Sequence, residues 1–193
     1  MKRKEEVYLY ILEKYKTGKI TQDGIANALD ISLSTVNNAL LPLRKMHAVD
    51  VKPRELRVID QEKIRTYWAT IRKLDKDVLY STCVASGVKE IENSLPSNVI
   101  FTAFSGYKFK FDDVPADYSE VYAYCTEEQL AEIKRRFPEK KGAKNLYLLK
   151  ANDTIASTTS GSIAATNLLF VDLWNASGWY ARDFLNALGE KLK

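Results

Sequence analysis

The chain has 193 residues, of which 46% are hydrophobic and 28% charged, with a formal net charge of +4. That composition excludes a disordered chain, and no apolar run approaches the ~20 residues of a bilayer span. Two cysteines, Cys83 and Cys125, far apart and without CxxC spacing, point to neither a disulfide framework nor a zinc site.

The opening "MKRKEEVYLYILEKYK" starts basic and turns apolar, but Glu13 and Lys14 interrupt it, so it reads as an amphipathic helix of a cytoplasmic protein rather than a signal peptide. Tyr8, Ile11, Leu12 and Tyr15 form one stripe at i, i+3, i+4, i+7, and Gly18 is a stop. In "ITQDGIANALD", Thr21 is an N-cap, Ile20 staples onto Ile25, and Ala26, Ala28 and Leu29 continue a short second helix. Asp30 in the following turn tolerates a left-handed backbone.

Ser32 caps a third helix, with Ile31 and Val36 as its staple. Val36, Ala39, Leu40 and Leu43 face inward at helical spacing, which leaves Ser34, Thr35, Asn37 and Asn38 outward and Lys45 further along. Two short helices, a tight turn and a polar-faced second helix form a helix-turn-helix. Pro42 either bends this helix locally or breaks it, and a break would move Arg44 and Lys45 away from DNA. In "AVDVKPRELRVID" Val49 and Val51 alternate with Asp50 and Lys52, and Leu56 and Val58 flank Arg57. Two half-buried strands joined by a Pro-Arg-Glu turn make a wing. His47 stands where many winged helices place glycine. Asp60 caps a fourth helix with the stripe Ile64, Tyr67, Trp68 and Ile71.

Residues 1–75 hold 15 Lys+Arg against 10 Asp+Glu, a net of +5, and the remainder holds 14 against 15, a net of −1. The excess favours a nucleic-acid partner for the first part, although so small an excess also fits a solvated surface. Residues 1–75 are read as a winged helix-turn-helix domain and 76–193 as a mixed α/β domain, α+β overall. In the second domain "GVKEIENSLPSN" is a short helix ended by Pro96, "SEVYAYC" a strand, "TEEQLAEIKRRFP" a helix with a Thr126/Gln129 capping box, and "NLYLLKA" a strand. "NDTIASTTSGS" is a polar loop, and "TNLLFVDLWNASGWYARDFLNALGEKL" is two helices broken at Ser177-Gly178. "NVIFTAFSGYKFKF" fits strand and helix alike.

Three stretches, "IANALDISLSTVNNALLPLRKM", "VIFTAFSGYKFKFDDVPADYSEVYAY" and "FVDLWNASGWYARDFLNAL", together resemble a family of prokaryotic, largely archaeal, winged helix-turn-helix regulators related to the AbiEi-type antitoxins. The resemblance covers nearly the whole chain, and its second and third stretches are the more specific part. It implies a C-terminal domain of AbiEi-antitoxin type, a DNA-binding part that represses its own operon, and a nucleotidyltransferase-like toxin protein as partner.

Catalytic readings rank lower. His47 is a lone imidazole, and Cys83 and Cys125 lie in apolar stretches as small buried residues. Asp112, Asp113, Asp117 and Glu120 are close enough in sequence for Mg²⁺. A nucleotidyltransferase, however, pairs carboxylates one residue apart after a Gly-Ser turn. Here the order is Ser105-Gly106, and the residue two after Asp117 is Ser119. The run "IKRRFPEKKGAK" reads as a solvated helix end, and Trp174, Trp179 and Tyr180 as core aromatics.

The expected function is sequence-specific binding of double-stranded DNA by a transcriptional repressor, with no enzyme activity, metal, cofactor or membrane contact. Antitoxin action against a nucleotidyltransferase-type toxin is the alternative, and a divergent nucleotidyltransferase the third reading. Ser34, Thr35, Asn37 and Asn38 would read bases, with Ser32 at the phosphate-favouring helix N-terminus. Arg44, Lys45, Lys52, Arg54 and Arg57 would hold the DNA backbone. Helix-turn-helix proteins commonly bind as homodimers on pseudo-palindromic sites, which sets the expectation for oligomeric state.

Overall fold

The apolar stripes of the first seventy residues build four helices and a hairpin in the computed structural model, which describes residues 1–192. Helix α1 (Arg3–Lys14) buries Tyr8, Ile11 and Leu12 as expected, and Val7 and Leu9 besides. Helix α2 (Gln22–Leu29) starts where the Thr21 side chain accepts the Gly24 N–H at 2.9 Å. It ends at Asp30, whose φ of 48° is left-handed. Helix α3 (Leu33–Lys45) runs unbroken through Pro42, and Met46 N–H still donates to Pro42 O at 3.1 Å. Arg44 and Lys45 therefore remain on the helix as its last turn.

His47 takes a left-handed φ of 55°, so the turn that glycine would suit is made here by histidine at some cost in strain. Strand β1 (Val49–Lys52) pairs antiparallel with β2 (Glu55–Val58), with Lys52 opposite Glu55. The turn is thus Pro53-Arg54, with Glu55 in the strand rather than in the turn. The Leu56 N–H donates to Ile20 O at 2.7 Å, which anchors the hairpin to the segment between α1 and α2. Helix α4 (Gln61–Ile71) is capped by Asp60, which accepts the Lys63 N–H at 2.9 Å.

Two buried polar ties set how these helices meet. The Glu5 carboxylate, 2% exposed, accepts from Arg72 Nη1 at 2.9 Å and from Trp68 Nε1 at 3.2 Å, joining α1 to the end of α4. The Tyr8 hydroxyl donates to Ala39 O at 2.9 Å, joining α1 to α3, and burial pushes its pKa up. Around these ties Val36, Ala39, Leu40 and Leu43 are all buried.

The chain divides into two compact units at Arg72/Lys73, beside the expected boundary after residue 75. The second unit enters through a 3-10 turn (Leu74–Asp77). Its sheet contains β3 (Val78–Thr82), β4 (Ile100–Thr102), β5 (Val121–Cys125) and β6 (Leu146–Lys150) in the order β3-β6-β5-β4, with β5 and β6 parallel and the other pairs antiparallel. Helices cover both faces. Val121, Ala123, Cys125, Leu146 and Leu148 pack with α5 (Val88–Ser94) and α7 (Glu127–Arg136) through Ile91 and Ile133. The opposite face, carrying Tyr122 and Tyr124, meets α6 (Ala103–Phe111), α9 (Thr166–Asn175) and α10 (Ala181–Lys191). There Asp172 accepts from both Thr102 Oγ1 and Tyr124 OH at 2.7 Å. The fold is mixed α+β.

Several expectations for this unit change. The ambiguous "NVIFTAFSGYKFKF" is both elements in succession, β4 and then α6. Gly106 lets α6 close against the end of β4 and against α9, because a Cβ there would lie 2.5 Å from Leu169 Cδ2 and 2.9 Å from Phe101 O. The stretch expected as a polar loop holds a short helix, α8 (Asp153–Thr158), which Asn152 caps by accepting the Ile155 N–H. Strand β3 had no counterpart in the sequence reading. Trp174 and Trp179 are not core aromatics; they are 45% and 83% exposed, while Tyr180 is buried.

Glu5→Ala should destabilise the N-terminal unit by about 3–5 kcal/mol, because it removes the buried carboxylate to which Arg72 Nη1 and Trp68 Nε1 both donate. The exposed Glu62→Ala should change stability by less than about 0.5 kcal/mol. Urea-denaturation midpoints compare the two, and equal midpoints would show that the buried node carries no weight.

Candidate nucleic-acid interface

With Val36, Ala39, Leu40 and Leu43 turned inward, helical geometry leaves one outward face on α3. Ser34, Asn37, Asn38 and Lys45 occupy it and are exposed. Thr35 lies on the flank and is half-buried. Its backbone N–H donates to Ser32 Oγ at 3.1 Å, and the two hydroxyls lie 2.9 Å apart. Ser32 and Thr35 are therefore engaged in holding the first turn, which leaves Ser34, Asn37 and Asn38 as the uncommitted polar groups of the helix start. Arg44 lines a cleft of about 460 Å³ together with Gln22, Leu33, Ser34 and Asn37.

The hairpin directs its charges more tightly than the sequence indicates. Val49 and Leu56 are buried, and Asp50, Lys52, Glu55 and Arg57 share the other face. On that face Arg57 Nε lies 2.9 Å from Glu55 Oε2, and Lys52 Nζ lies 3.7 Å from Asp50 Oδ2. The Arg57 guanidinium holds the Glu55 carboxyl below the usual carboxylate range, and Glu55 in turn raises Arg57. Two of the hairpin's three cations expected to face phosphate are thus matched by an acid at rest, and Arg54 stands at the tip. Exposed pairs of this kind are worth at most ~1 kcal/mol, so a phosphate can compete for either cation.

Two residues of α3 escaped the sequence reading. Leu33 is 48% exposed and Leu41 44%, apolar side chains on a polar surface. The signal was present, since Leu41 lies four residues after Asn37 and three after Asn38 and so shares their face.

The C-terminal candidates do not converge. Asp112 ends α6 in a left-handed turn with φ 49°, Asp113 accepts the Tyr107 hydroxyl at 3.0 Å, and Asp117 is exposed. Glu120 is half-buried, and desolvation raises its carboxyl pKa. Among the described residues no three His, Cys, Asp or Glu side chains group as a metal site. Cys125 is buried and its thiol is pushed up to about 11, whereas Cys83 is only half-buried. In the basic run, Lys134 lies over the Tyr80 ring at 5.2 Å, and Arg136 bonds Glu132 and Ser94 O.

Ser32→Ala should remove the cap of α3 at a cost of about 1 kcal/mol. A chemical-denaturation midpoint should register that loss, and an unchanged midpoint would mean the Thr35 N–H finds another partner.

Among the described residues no helix is long and apolar enough to cross a membrane. Comparison of the chain with protein-family models, with curated proteins and with solved structures finds no match.

Proposed function

We propose that residues 1–72 are a winged helix-turn-helix that binds double-stranded DNA sequence-specifically, and that the protein is a cytoplasmic transcriptional regulator acting as a repressor. The observation that carries the reading is the outward face of α3. Ser34, Asn37 and Asn38 stand exposed on a helix whose opposite face is fully buried, and Arg44 and Lys45 follow in its last turn. Asn makes a bidentate pair with adenine in the major groove, and Ser bonds several base edges. The β1–β2 hairpin serves as the wing, with Arg54 at its tip as the phosphate contact and Lys52 and Arg57 released to the DNA from their acid partners. A homodimer on a pseudo-palindromic site is the assembly this motif most commonly uses.

A second reading concerns the C-terminal unit. Trp174 and Trp179 are large, exposed aromatics, the residue type most enriched at protein–protein hot spots. They support a protein partner for this unit, and a nucleotidyltransferase-like toxin opposed by an AbiEi-type antitoxin domain is the partner proposed. Rescue of growth against such a toxin, lost in Trp179→Ala, tests it; rescue that survives the substitution removes Trp179 from the contact.

Three substitutions test the DNA reading by titration against a duplex site selected from a random library with the parental protein. Arg54→Ala should weaken binding alike on all sequences and lower the slope of log K against log salt by about 1. Asn38→Ala should relax one base position at a cost of ~1–3 kcal/mol. Glu55→Gln should tighten binding at low salt by releasing Arg57. Parental behaviour in all three would show that this face does not meet DNA.

A further inference from the structure

We infer that Leu41 is a specificity-determining residue that reads the 5-methyl group of a thymine in the major groove, so that the half-site places an A·T pair beside the adenine read by Asn37 or Asn38. The inference rests on the DNA-binding reading and adds a chemical identity to one base of the site. Leu41 is 44% exposed on α3, in the turn between Asn37/Asn38 and Arg44/Lys45. Side chains on a helix lean toward its N-terminus, so the Leu41 methyls lie over the turn that carries the two asparagines. An apolar group among amides reading base edges has one apolar counterpart in the groove, the thymine methyl.

The surroundings favour DNA over a protein partner. A protein interface needs an apolar centre within roughly 800 Å² per partner. Leu41 is instead flanked along its face by Asn37, Asn38, Arg44 and Lys45, all of them exposed. Leu33, the other exposed leucine, lies two turns away at the cleft beside Gln22. Four residues of helix span about 6 Å, or one to two base steps of about 3.4 Å. The thymine should therefore lie within two base pairs of the adenine.

The test uses the full chain to select bound duplexes from a random library, then replaces each thymine of the selected site in turn by deoxyuridine, which removes only the methyl. One replacement should weaken parental binding about fourfold. Leu41→Ala should weaken binding to the thymine duplex by at least that factor and become indifferent to deoxyuridine at that position alone, while Leu33→Ala keeps the discrimination. Leu41 is exposed, so the variant should keep the parental denaturation midpoint. Neutral deoxyuridine replacement at every position, or discrimination that persists in Leu41→Ala, overturns the inference and leaves the DNA reading standing. Failure to enrich any sequence overturns both. Self-association lost in Leu41→Ala with DNA affinity unchanged would assign the residue to a protein contact and overturn the inference as well.

Discussion

A buried carboxylate governs the N-terminal unit. Glu5 is 2% exposed and sits between Arg72 Nη1 and Trp68 Nε1. A charge so placed is tolerated only where both partners reach it, because an unpaired buried ion costs several kcal/mol. Arg72 is also the last residue of the unit, so the same carboxylate fixes where the chain leaves it. The Tyr8 hydroxyl extends the constraint from α1 to the backbone of α3 at Ala39. With α3 held at that point and its four apolar side chains buried, the identity of its outward face is fixed without further choice.

On the proposed DNA reading, that outward face and the hairpin would divide the work. At the start of α3 the uncommitted groups are a hydroxyl and two amides, which suit the distinction of bases, and Arg44 and Lys45 stand exposed in its last turn. On the hairpin the charges are largely matched, Lys52 with Asp50 and Arg57 with Glu55. An internally matched hairpin is weakly attractive to polyanions at a distance, and on the proposed reading it would offer phosphate contacts only at close range. On the proposed DNA reading, such an arrangement would limit non-specific affinity, which is almost wholly electrostatic, and leave more of the discrimination to α3.

The C-terminal unit is organised by its own buried polar groups. Asp172 receives two hydroxyls from β4 and β5, which registers α9 on the sheet. Glu92 of α5 receives Lys108 Nζ and Tyr118 OH, each at 2.6 Å, and so ties α5 to α6 and to the segment before β5. These carboxylates serve packing, and the acids that cluster in sequence, Asp112, Asp113 and Asp117, stand at a helix end and in an exposed loop. Proximity along the chain did not become proximity of ligands, because the left-handed turn at Asp112 directs the chain away from the helix.

Patterns confined to one or two turns were legible from the residues alone: the caps at Thr21, Ser32, Asp60 and Thr126, the left-handed Asp30, the stripe of α3 and the alternation of the hairpin. Each is decided by hydrogen bonds or burial among neighbours in sequence. The polar face of α3 followed from the same periodicity, and Leu41 was legible there too. What the tertiary structure decided were matters that depend on distant partners. Strand β3 exists because β6 pairs with it, and "NVIFTAFSGYKFKF" splits into strand and helix because β5 takes its first part while Gly106 lets its second part close against Phe101 and Leu169. Glu5 and Asp172 become buried structural acids through partners 48 to 70 residues away. Trp174 and Trp179 fall on the surface although their composition suggests a core, because burial is a property of the assembled layers and not of the residue.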